Sequence, residues 1–209
     1  MPKRTGLNEE AIARRALVML DEEGVDGLSM RKLATALDVS VMALYSYFTD
    51  RGALLDAVAQ LVYAEVELPG PGAGPREQLR RLMHAVRRVL HTHPRSLPLV
   101  TRYPPHTTTA LAFVDAGYRA VLEAGVSPAE AARCYRALAA YSIGTASVEV
   151  TGYFERPPAP NDPASAAAIA RALPAVAEVS PFLAGLDDEA EFDYGLDLVL
   201  DGLLNRHHD

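Results

Sequence analysis

Residues 28–58 read LSMRKLATALDVSVMALYSYFTDRGALLDAV. Ser29, Ser40 and Asp50 punctuate this run. Each has a short side chain that can accept a hydrogen bond from an orphan backbone N–H, and each precedes apolar residues at helical spacing. The first segment turns Leu33, Ala34 and Leu37 to one side, and the second carries Leu44 and Phe48 four residues apart. A third opens at Asp50 and aligns Leu54, Leu55, Val58, Val62 and Val66. Asp38-Val39 makes the tight turn between the first two, and Asp tolerates a left-handed backbone better than most residues. Short helix, tight turn and short helix together form a helix-turn-helix.

Upstream, Asn8 caps a helix with Glu9 and Glu10 in its first turn, where the dipole favours anions. Ile12, Ala16, Met19 and Leu20 form its inner face, and Gly24 ends it. Downstream, Pro69-Gly-Pro-Gly-Ala-Gly-Pro75 is a loop. A helix from about 76 to 92 follows, with Leu79, Leu82, Met83, Val86, Val89 and Leu90 inward. Pro94, Pro98, Pro104 and Pro105 divide the next stretch into short pieces and make it a pocket wall or hinge. Another helix covers 109–124 and stops at Gly125, and Ser127-Pro128 opens a long one to about 154. A loop at 156–163 leads to an Ala-rich helix over 164–178, interrupted at Pro174. The last helix, 188–205, has Phe192, Leu196, Val199, Leu200 and Leu203 as its stripe. Nothing alternates as a strand would. The expectation is an all-α chain: a three-helix domain over 1–50 and a helical ligand-sensing and dimerisation domain over 51–209, joined through a linker helix at 51–68.

Composition narrows the classes. With 49% hydrophobic and 22% charged residues the chain can bury a core. A single cysteine, Cys134, excludes an internal disulfide and fits a reducing cytoplasm. No apolar run approaches the roughly 20 residues a membrane helix needs, and the N-terminus lacks a signal peptide's apolar core. A cytoplasmic location is expected. Formal net charge is −7, but residues 1–51 hold seven cations against eight anions. The acidic excess therefore lies mostly outside the helix-turn-helix, which permits contact with nucleic acid.

If the second short helix hides Leu44 and Phe48, it exposes Val41, Met42, Ala43, Tyr45, Ser46 and Tyr47. Such a face suits DNA: tyrosine hydroxyls reach phosphates and small apolar groups touch thymine methyls. Arg31, beside Met30 at the start of the first short helix, is the candidate for a bidentate guanine contact. Ser29, Ser40 and Arg51 sit at helix N-termini, where backbone N–H groups hold phosphates. Lys3 and Arg4 form an arm able to add backbone or minor-groove contacts. On spacing alone, a bare three-helix scaffold explains the same pattern.

The run also resembles the TetR family of repressors. The matching features are Arg31-Lys32-Leu33-Ala34, Val39, Leu44-Tyr45, Tyr47-Phe48 and Asp50-Arg51 before Leu54-Leu55. Asp38 stands where the family often has Gly, and Arg51 where it often has Lys. The resemblance implies operator binding by a homodimer of all-helical chains and induction by a ligand. Dimerisation would use the helices near 128–154 and 188–205, helped by small residues Gly144, Ala146 and Ser147. The C-terminal half is similar to the tetracycline repressor class through Thr101-Arg102 before a Pro-containing turn and Gly125-Val-Ser-Pro-Ala-Glu-Ala131 opening a long helix. Pro98 stands where that class has its metal-binding histidine, Leu82 where it has a pocket asparagine, and Glu149 is displaced by one position. Neither tetracycline nor a required metal or other cofactor is expected. His84, Arg102, Tyr103, Phe113, Tyr118, Tyr135, Tyr141, Ser142, Glu149 and Tyr153 either line an apolar pocket with a few orienting groups or are ordinary core and surface residues.

Other signals carry little. His91 and His93 lie at i and i+2, which point apart on a helix. His207-His208 reads as a solvated tail, and the helix that carries Cys134 contains no histidine to make it a nucleophile. No catalytic or nucleotide-binding spacing occurs. The expected function is a repressor binding palindromic operator DNA, released by a small apolar or aromatic effector. Two alternatives stay open: a DNA-binding regulator answering to a protein partner, and a helical enzyme using the helix-turn-helix as scaffold.

Overall fold

In the computed structural model, residues 7–153, 163–183 and 185–204 are described, so Lys3, Arg4 and the loop at 156–162 lie outside that set. Every described element is helical. Helix α1, Glu9–Gly27, opens where Asn8 Oδ1 accepts from the Ala11 N–H at 2.8 Å. It kinks at Gly24, whose φ of 78° gives the left-handed residue expected to end it, and a last turn follows to Gly27. Helices α2 (Met30–Ala36) and α3 (Val41–Tyr45) are capped by Ser29 and Ser40, accepting from the Lys32 and Ala43 N–H groups. Asp38 between them has φ of 54°, the left-handed conformation the turn requires. Asp50 caps α4, Arg51–Ala64. This helix ends sooner than the 51–68 expected, because Glu65 and Val66 already bond back to Val62 and Tyr63 in a closing turn.

Helix α5 (Pro75–Thr92) begins directly after the Pro/Gly loop. A 3₁₀ turn at Pro94–Ser96 and the short α6 (Leu97–Arg102) fill the proline-rich stretch. Helix α7 (Thr108–Glu123) stops at Gly125, φ 86°, and α8 (Pro128–Val150) opens on Ser127 with Pro at its first position. It closes at Thr151, before the 154 expected. Pro174 divides the Ala-rich segment into α9 (Pro163–Ala172) and α10 (Pro174–Val179). Helix α11, Asp188–Leu204, completes the described chain.

One continuous core runs from Ile12 and Leu20 of α1 through Leu54 and Val58 of α4, then Leu79 and Leu82 of α5, to Leu138 of α8 and Leu196 of α11. Burying such side chains contributes about 1.5–3 kcal/mol each. Helix α4 packs on α1 at one side and α7 at the other, placing it between the helix-turn-helix and the larger bundle. Side chains from both parts lock that junction. Arg51 donates to the backbone carbonyls of Leu28 and Val25, and Arg95 to those of Asp21 and Glu22. His93, only 8% exposed, bonds Asp21 through Nδ1 and Glu65 through Nε2, each at 2.8 Å.

Candidate functional site

The first candidate surface is built on α3. Leu44 is fully buried and Phe48 5% exposed, so this face anchors the short helix in the core. The opposite face is open: Met42 is 76% and Tyr45 44% exposed, with Ser46 exposed and Val41 and Ala43 half-buried. Ser46 Oγ bonds back to the Ala43 carbonyl at 2.7 Å. Arg31, in the first turn of α2, is exposed, and its guanidinium meets no carboxylate among the described residues. Its neighbour Lys32 is paired with Glu23. This face offers the Arg31 guanidinium of α2 beside a tyrosine hydroxyl and apolar groups on α3, a helix small enough to enter a major groove.

Three sequence expectations change. Met30 is 7% exposed and packs in the core, because the helical period points it inward with Leu33 and Ala34. Tyr47 is half-buried, and its hydroxyl donates to the Leu7 carbonyl at 3.1 Å, anchoring the chain that enters α1. Arg51 turns its guanidinium onto the carbonyls at the end of α1 instead of outward to a phosphate. Ser29 and Ser40 are half-buried and exposed caps with their oxygens engaged by backbone N–H groups.

The second candidate is a cavity of about 290 Å³ inside the larger bundle. Helix α4 supplies Val62 and Tyr63, with Val66 just beyond it. From α5 come Met83, Val86, Val89 and Leu90, and from α6 and the segment after it Val100, Pro104 and Pro105. Helix α7 adds Leu111, Phe113 and Val114, and α8 adds Tyr135, Ala139, Ser142 and Ile143. The rings of Tyr63 and Phe113 stack at 5.7 Å. Burial pushes the Tyr63 hydroxyl up to about 12 and raises that of Tyr135 as well, so both stay protonated at neutral pH.

Of the expected pocket residues, Phe113, Tyr135 and Ser142 line this cavity. Tyr118 stands behind it, its ring 4.9 Å from that of Tyr135. The others lie elsewhere for visible reasons. His84 pairs with Asp193 at 2.8 Å, and the Tyr141 hydroxyl donates to the Phe192 carbonyl at 2.7 Å, so both join α11 to the bundle. Glu149 is held by Arg87 at 3.0 Å and by His91. Tyr153 is 68% exposed. Arg102 is exposed over the Tyr103 ring, and Tyr103 approaches Gly52 at the start of α4. Sequence reading missed Tyr63 as a wall residue; its position next to the inward Val62 was the available signal.

A third surface is the outer side of α8 and α11. Ala137, Ala140, Gly144 and Ser147 are exposed along α8, and Tyr194 and Leu198 project from α11 at 66% and 57% exposure. Inward, Arg76 and Arg80 of α5 form ion pairs with Asp193, Asp197 and Asp201 and fix α11 against α5.

Residues 10–58 match the family model described as "Bacterial regulatory proteins, tetR family", and residues 68–207 match "Tetracyclin repressor-like, C-terminal domain". The chain belongs to the TetR family. A relative named as an HTH-type transcriptional regulator, from Saccharopolyspora erythraea, is 31% identical over 94% of this chain and 84% of its own length. The tetracycline repressor protein class A from transposon 1721 of Escherichia coli is also 31% identical, over 97% of this chain and 93% of its own. Among solved structures, the Streptomyces coelicolor TetR family protein ActR in complex with (S)-DNPA superposes with a TM-score of 0.80 at 26% identity, covering 96% of this chain and 98% of ActR. As a TetR protein, the chain is a transcriptional regulator with a DNA-binding helix-turn-helix and a ligand-binding C-terminal domain. Members of the family bind DNA, act as dimers and bind small molecules. No described helix is long and apolar enough to cross a membrane.

Proposed function

We propose that this TetR protein is a homodimeric repressor that grips a palindromic operator through α2 and α3 and is released by a small, largely apolar effector in the cavity. The observation that carries this reading is the double duty of α4. Its first residue, Arg51, holds the carbonyls at the end of α1, while Val62, Tyr63 and Val66 at its far end wall the cavity. A molecule that fills the cavity pushes on the helix that carries the helix-turn-helix. The effector must bind the two arrangements with different affinity, and about 5.5 kcal/mol of preference moves the population from 1:99 to 99:1. Arg31, Met42, Tyr45 and Ser46 are the side chains best placed for DNA.

Among the described residues, the cavity walls hold no carboxylate, imidazole or thiol to ligate a cation, which supports an effector that needs no metal. Two copies would meet through the outer faces of α8 and α11, where small residues allow close approach and Tyr194 and Leu198 lack cover. Selection of tight binders from a random duplex library tests the whole reading. A palindrome whose half-sites lie about 10–10.5 base pairs apart, or a multiple of this, is expected. No enrichment by a folded dimer at low salt would overturn it.

A further inference from the structure

The cavity's chemistry specifies more than its size. Among the described residues none of its walls is charged, and Tyr63, Tyr135 and Ser142 supply its polar side chains. Tyr63 Oη already donates to the Val100 carbonyl at 2.6 Å, and Ser142 Oγ donates to Met83 Sδ at 3.1 Å. The hydroxyl of Tyr135 has no acceptor among the described residues, though the residue is only 8% exposed. Its ring is fixed in place. A Cβ on Gly117 would lie 2.7 Å from Tyr135 Cε2, so α7 reaches this close to the ring only because position 117 is glycine, and Tyr118 covers it at 4.9 Å between ring centroids.

An ionised ligand here would lose its hydration and find no counter-charge, at several kcal/mol. A pure hydrocarbon would leave the Tyr135 proton unbonded. We infer that the effector is an uncharged, mostly apolar molecule carrying a carbonyl or ether oxygen, and that the Tyr135 hydroxyl holds that oxygen. This rests on the cavity being the effector site. Tyr135 thereby sets specificity: shape admits many apolar molecules, and one donor selects those that present an acceptor. The bonded oxygen lies at the α8 wall, which leaves the ligand's apolar body to press on Val62 near the end of α4 and on Val66 just beyond it.

Three probes that share one tricyclic frame separate the terms: fluorenone and fluorene, of nearly equal shape, and 9-fluorenecarboxylate, which adds a charge. Their dissociation constants are measured by equilibrium dialysis on the full-length protein and on Tyr135→Phe, which keeps the ring and so its packing. Fluorenone is expected to bind the native protein roughly fivefold to tenfold more tightly than fluorene, the worth of one net hydrogen bond. The carboxylate is expected to bind at least about tenfold more weakly than either. Tyr135→Phe should erase the fluorenone advantage and leave fluorene unchanged. A carboxylate that binds best, or an advantage that survives Tyr135→Phe, overturns the assignment while leaving the cavity as effector site. Val86→Trp, or the gentler Ala139→Leu if that variant does not fold, fills the cavity and should weaken all three probes. Fluorene binding that persists there, or no binding of any probe to the native protein, overturns the cavity reading and the assignment with it.

Discussion

Arg31 and Gly117 show how much a single position decides. Arg31 is exposed and meets no carboxylate among the described residues, whereas Lys32 beside it is committed to Glu23. If Arg31 reads a guanine, Arg31→Ala should cost about 1–3 kcal/mol in operator affinity and relax selectivity at one position per half-site. Competition between operator variants measures this, and unchanged selectivity would assign Arg31 to the backbone or to no contact. Gly117→Ala presents a different problem. Its new Cβ would stand 2.7 and 2.9 Å from the buried Tyr135 ring and 3.3 Å from Leu82, so something must shift. Overpacking of this kind costs about 1–3 kcal/mol, and thermal denaturation should show a melting temperature several degrees lower. At this scale the sequence was readable where chemistry is local. Asn8, Ser29, Ser40, Asp50 and Ser127 cap the helices assigned to them, since a cap needs only its own next turn. His84, Tyr141 and Glu149 were candidates for the pocket because their partners were invisible. Asp193 and Phe192 lie far along the chain from the first two, and Arg87 far from the third, so periodicity carries no trace of those pairings.

Among elements, α4 and its surroundings set the behaviour. The helix itself was legible from its apolar stripe, yet its end and its neighbours were not. The clamp beyond it joins three segments: Asp21 of α1, Glu65 after α4, and His93 after α5. Arg95 sits at the same junction, donating to the Asp21 and Glu22 carbonyls. To donate to both carboxylates, His93 must be protonated. Burial pushes its pKa down, but the hydrogen bonds and charges of Glu65 and Asp21 outweigh that and hold it above the ordinary 6.5. A group whose folded pKa is raised adds stability that is complete below its unfolded pKa and lost as pH rises through the folded one. His93→Gln should therefore cost about 1–3 kcal/mol in mildly acidic buffer. The difference from the native protein should shrink at alkaline pH. Urea denaturation across that range checks the sign, and a constant difference would mean that the imidazole acts by shape alone.

Across the whole molecule, charge and exposed apolar surface make the predictions. The net charge of −7 opposes a polyanion, so binding must come from the local face of α2 and α3. Operator affinity should fall steeply with salt, with a log–log slope of about −0.9 for each phosphate neutralised. Leu198→Glu places a charge on the uncovered side of α11, away from the buried Phe192, Leu196 and Leu200. It should leave helicity intact, convert a dimer to monomers in sedimentation, and lower operator affinity with it. A dimer that persists would move the interface elsewhere. The junction between the two halves has one more implication, for building hybrids. Arg51 and Arg95 hold α1 and the link after it by main-chain oxygens, which every amino acid supplies. A foreign α1–α3 grafted ahead of Arg51 would meet the same main-chain grip, provided that it brings an acid at position 21 for His93 and an apolar face like that of Ile12 and Leu20 to pack on α4. All the cavity walls would come from this chain. If the cavity is the effector site, a cut placed after α4 would separate Val62, Tyr63 and Val66 from the rest of its walls, and a seam before α4 keeps them together.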